Sequence, residues 1–78
     1  MAERITNTDA LHYGETYWIE SKEDEYIGPG KLRISHSRTR RGALCVLVFI
    51  VPISSNVVTA VIRNNDFGSC SVKIYEVE

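Results

Sequence analysis

The sequence predicts an all-β fold: a compact small sandwich or open barrel of five or six mainly antiparallel strands, built as a single β domain over residues 1–78. Three observations predict it. KLRIS and SVKIYEV alternate apolar and polar side chains with period two, the pattern of a strand with one buried and one wet face. ALCVLVFIV and VVTAVI are rich in β-branched residues, which fit a pleated surface better than a helix. Clusters of Gly, Pro, Asn, Asp and Ser separate these stretches at short intervals and leave little room for a helix.

Taken in order, TNTD at residues 6–9 is a turn, and residues 10–13 are a candidate first strand ending at Gly14. ETYWIES follows as a strand, with Tyr17 and Ile19 pointing one way and Thr16 and Trp18 the other. KEDE is a solvated connection, and IGPG at residues 27–30 reads as an interruption, because proline lacks a donor and glycine tolerates turns. A new extended unit then begins at Lys31, with Leu32 and Ile34 on one face. SRTRRG at residues 37–42 is a turn, so residues 31–35 are expected to pair with residues 44–48 and to hold the arginines at the tip of a hairpin. The run ALCVLVFIV has no polar residue to meet solvent, so both of its faces need cover. Pro52 closes it, VVTAVI resumes as a strand, and RNNDFGS has the composition of a hairpin loop. Residues 57–62 and 71–77 are accordingly expected to be antiparallel neighbours.

A chain of 78 residues buries only roughly 60% of the surface its unfolded form exposes, so one modest core is expected. With the apolar run requiring cover on both faces, that size predicts a homo-oligomer. Charge is segregated: residues 1–30 carry seven acids and two bases, net −5; residues 31–41 carry five bases and no acid, net +5; the remainder is net −1. Opposite patches of this kind select partners and register more than they stabilise a fold.

Composition also excludes classes. Two cysteines without a secretion signal read as reduced thiols rather than a disulfide scaffold, and neither CxxC nor HExxH spacing occurs, so no metal or other cofactor is expected. GPG lacks the spacing of a phosphate-binding loop. Glu15, Glu20, Asp24 and Glu25 form no recognisable acid/base pair, and Cys45 with His36 makes a nucleophile pair only if turn and strand converge, so the expectation is a protein that is not an enzyme. The apolar stretch over residues 43–53 spans eleven residues with Pro52 included, against about 20 for a helical membrane crossing. The N-terminus lacks the basic start and apolar centre of a signal peptide, so no membrane association and a cytoplasmic location are expected.

Two candidate surfaces remain. Arg38, Arg40 and Arg41 beside Leu44, Val46, Leu47, Val48 and Phe49 form the candidate interface of a homo-oligomeric structural or protein-binding module. A pI of about 6.1 and the clustering of Tyr13, Tyr17, Trp18 and Tyr26 in the acidic half argue against nucleic acid as the partner of those arginines. The alternative is a small lectin-like protein in which Tyr13, Tyr17, Trp18, Glu20 and Tyr26 form an aromatic, hydrogen-bonding surface for a carbohydrate ligand. LHYGETYWIES followed by EYIG is similar to a repeat unit of some β-trefoil proteins, over roughly residues 11–28. That resemblance implies sugar binding and two further lobes, whereas residues 40–78 contain no second Tyr-Gly corner.

Overall fold

The computed structural model describes residues 3–37 and 44–77. It is an all-β domain with one five-stranded antiparallel sheet, bent into a small open sandwich. The strands are β1 (Thr16–Ser21), β2 (Tyr26–Ser37), β3 (Leu44–Ile50), β4 (Val57–Arg63) and β5 (Val72–Tyr75), in the spatial order β4-β3-β2-β1-β5. Short 3-10 turns occupy Thr8–Ala10 and Phe67–Ser69. Residues 10–13 do not form a strand: Asn7 caps the first 3-10 turn by accepting from the Asp9 N–H, and the chain then turns through Gly14 at φ +88°. No lobe repeats, so the trefoil resemblance does not extend to the fold.

In β1 the period-two reading holds, with Tyr17, Ile19 and Ser21 buried and Thr16 and Trp18 exposed. The connection to β2 is tight: Glu25 adopts φ +51° and its N–H donates to the Lys22 carbonyl, while the buried Ser21 hydroxyl donates to Asp24 at 2.7 Å. IGPG does not interrupt the chain there, and β2 runs through it. The reason is strand parity. Leu32 exchanges bonds with Gly14 and Glu15 on the β1 side, so even-numbered residues here face β1 and Pro29 faces the other way, where β3 does not reach. Pro29 therefore removes no ladder bond, and its carbonyl accepts from the Tyr26 hydroxyl at 2.6 Å.

The two glycines serve packing. Gly28 and Gly30 lie opposite Ile19 and Tyr17, on the buried face. A Cβ on Gly30 would stand 2.7 Å from Ile19 Cδ1 and 3.2 Å from Phe49 Cβ, so β1 and β3 close over this one position. Just beyond it, the β2–β3 register shifts between Leu32 and Ile34, placing two residues of β2 against one of β3. That bulge reverses the alternation. Leu32 is buried and Ile34 is 44% exposed, although the sequence pattern put both on one face.

β3 meets the expected pairing with β2, and Cys45, Leu47 and Phe49 point into the core. β4 alternates cleanly, burying Val58, Ala60 and Ile62. β4 and β5 are not neighbours, as the hairpin reading of residues 63–69 supposed. Asn64 and Asn65, both at positive φ, turn the chain out of β4, Phe67 is buried in the same core cluster as Ile62 and Val72, and residues 64–71 carry the chain to β5 on the far side of β1. Tyr17, Ile19, Leu32, Leu47, Phe49, Ile62, Phe67 and Ile74 belong to one buried cluster, with the Tyr17 and Phe49 rings edge to face at 6.3 Å.

Candidate functional site

The outward faces of the sheet carry what is left over after the core is filled. On the β3 side the register aligns Ile34, Val48 and Thr59 in one row, His36, Val46 and Val61 in the next, and Ile50 with Val57 in a third. Ile34, Val57 and Val61 are 44%, 51% and 41% exposed, and the β3 residues between them are half-buried. This is a contiguous aliphatic surface on the order of a few hundred Å², the size at which apolar patches on a small protein mark contacts. It arises because β3 has apolar residues at every position: Leu47 and Phe49 take the core, and Leu44, Val46 and Val48 are left outside.

The candidate interface is thereby divided. Leu44, Val46 and Val48 lie on the outer surface, while Leu47 and Phe49, 1% and 0% exposed, are core residues that no partner reaches. Arg38, Arg40 and Arg41 lie outside the described residues. Ile34, Val57 and Val61 were missed because the bulge that turns Ile34 outward and the pairing that brings β4 beside β3 are long-range features.

At its far margin this surface ends on the free edge of β4. Asn56 accepts from the Val51 N–H at 2.8 Å, so even-numbered residues of β4 face β3 and Val57, Thr59 and Val61 direct their N–H and C=O groups outward. Among the described residues, no backbone or side-chain group bonds to them. A groove of about 440 Å³ opens beside Val61 and Arg63, bounded by Ser69, Cys70 and Ser71. The opposite edge of the sheet is covered: Arg4 bridges Tyr75, the Ile5 N–H donates to Ile74 and the Glu76 N–H donates to Glu3. Arg4 further ties this segment down by donating from Nη2 to the Phe67 carbonyl at 2.8 Å.

The aromatic residues do not converge into one site. Tyr17 is 5% exposed, and its hydroxyl accepts from the His12 N–H at 2.6 Å, so it belongs to the core and not to a ligand surface. The Tyr26 hydroxyl is committed to Pro29, and Tyr13, 70% exposed, sits apart on the turn before β1. Trp18 is 41% exposed on the outer face of β1, in one row with Pro29 and Tyr75. Glu20 stands in the next row between Ile27 and Lys73, beside a groove of about 600 Å³ that also meets Lys22, Glu25, Tyr26 and Cys70.

Cys45 and Cys70 are free thiols, the first buried and the second half-buried. Pairing of His36 with Val46 brings His36 alongside Cys45 in sequence register, yet the two side chains lie on opposite faces of the sheet, so they form no nucleophile and base. Among the described residues no three of His, Cys, Asp and Glu are grouped to hold a metal ion, and no helix is long and apolar enough to cross a membrane. The Asp66 carboxyl is held below its ordinary range; the Ser69 hydroxyl and N–H and the Gly68 N–H stabilise its charge in the turn after β4. Comparison with protein-family models, curated proteins and solved structures finds no match.

Proposed function

We propose that this chain is a non-enzymatic binding module that works by self-association, with the outer flank of β3 and β4 as its contact surface. The observation that supports this reading is the aliphatic surface of Ile34, Val46, Val48, Val57 and Val61 next to an edge strand whose outward main-chain groups have no partner among the described residues. In a domain this small the outer face of a fully apolar strand stays half-covered, and association at its flank removes further apolar surface from water. Sedimentation equilibrium tests it. Val61→Lys places a charge on the surface, and covering the exposed part of Val61 in both copies contributes about 2 kcal/mol, so dissociation should strengthen roughly thirtyfold. A wild-type chain that stays at 8.8 kDa across the micromolar range refutes the reading.

A second reading is favoured by the row Pro29, Trp18 and Tyr75: a small lectin-like site in which Trp18 covers the apolar face of a sugar and Glu20 accepts from its hydroxyls. Its measure is tryptophan fluorescence during titration with a glycan panel.

A further inference from the structure

Resting on the self-association reading, we infer that the second copy joins through β4 itself, the two β4 strands pairing antiparallel about a two-fold axis at Ala60 to make one continuous sheet. Four features of the structure carry this. The outward groups of Val57, Thr59 and Val61 form a row of ladder positions with no partner among the described residues. The residues of β4 carry none of the devices that blunt an exposed edge: the strand is seven residues long, regular, free of proline and lysine, and its only charge is Arg63 at the end. A groove of about 440 Å³ opens along this edge beside Val61 and Arg63, with Ser69, Cys70 and Ser71 as its far wall. Finally, exposure falls where a strand is flanked on both sides. Val46 and Val48 of β3 are half-buried between β2 and β4, while Val57 and Val61 of β4 are 51% and 41% exposed with one side open. A strand added to that side covers them as β4 covers β3.

The register follows from parity. Two copies bond only if outward residues meet outward residues, which the axis at Ala60 satisfies: Thr59 opposes Val61 of the second copy and Val57 opposes Arg63, with no like charges face to face. An axis at Thr59 or Val61 also obeys parity but pairs fewer residues of the strand, running past one of its ends. Head-to-tail assembly, in which β4 of one copy meets β5 of the next, is blocked because residues 3–5 already occupy the outer edge of β5. The contact therefore closes as a dimer instead of growing into a filament.

Residue-resolved amide exchange on the intact chain tests the inference, at a concentration where sedimentation reads a dimer and again after dilution to monomer. The Thr59 and Val61 amides should slow by roughly tenfold or more in the dimer, while the Val58, Ala60 and Ile62 amides, bonded to β3 in either state, change least. Thr59→Pro removes an outward N–H that β3 does not use, so it should abolish the dimer while cooperative unfolding of the monomer persists. A dimer in which the Thr59 and Val61 amides exchange as fast as in the monomer overturns edge pairing and leaves self-association by face packing standing. A chain that never dimerises overturns both.

Discussion

Replacing Gly30 with alanine tests the closure of the sheet at the point where it is tightest. The added Cβ would lie 2.7 Å from Ile19 Cδ1, 3.3 Å from Ile19 Cγ1 and 3.2 Å from Phe49 Cβ, and both neighbours are 0% exposed. Two effects oppose each other. Alanine restricts the unfolded chain and by itself stabilises by about 0.4–1 kcal/mol. Overpacking a filled core costs about 1–3 kcal/mol, so the clash wins and the net loss is about 1–2 kcal/mol. With a urea m-value of about 1 kcal/mol/M for a small domain, the midpoint should fall by about 1–2 M. The measurement is made at one fixed protein concentration, because any association adds to apparent stability. Ile19→Val deletes the closest clashing atom and alone costs about 0.5–1.5 kcal/mol. In the double variant the two losses should fall short of their sum by about 1 kcal/mol. A Gly30→Ala chain as stable as the wild type, or a strictly additive double variant, refutes the packing argument.

Asp66 titrates below the ordinary 3.8 because the folded turn bonds its charged form. Its contribution is therefore complete above pH 3.8 and is lost as pH falls through the lower folded value, so Asp66→Asn should be less stable than wild type at neutral pH and converge with it in acid. A carboxyl midpoint at or above 3.8 by NMR contradicts this. Trp18→Ala should remove any fluorescence-detected glycan binding; binding of unchanged affinity in that variant excludes Trp18 as the platform.

Much of the fold was legible in the local pattern. Tyr17 and Ile19 against Thr16 and Trp18 declared the two faces of β1, because period two needs only the strand itself, and the composition of VVTAVI marked β4 as a strand, whereas its buried set of Val58, Ala60 and Ile62 came from the structure. The pairing of β2 with β3 followed from adjacency along the chain. IGPG misled because a proline is an interruption only where its missing N–H would have been used, and that depends on which neighbour lies on that side. The candidate sites were less legible: Trp18 could be placed on an outer face, but Tyr17 bears the same kind of ring and is buried by strand parity.

What the sequence by itself determined is the all-β class, the absence of helical periodicity and the surplus of apolar side chains in residues 43–51, each a property of a local run of residues, whereas the strand expected at residues 10–13 and the break expected at IGPG did not form. Which half of that surplus becomes core was decided by the tertiary structure. The bulge between Leu32 and Ile34, the passage of residues 64–71 to β5 on the far side of β1 and the capping of β5 by residues 3–5 leave Leu47 and Phe49 inside, Val46 and Val48 outside and β4 as the open edge. The physical reason is that edge and centre are relations between strands. A strand carries its alternation in its own residues, but whether its outward N–H and C=O groups find partners depends on segments far away in the chain.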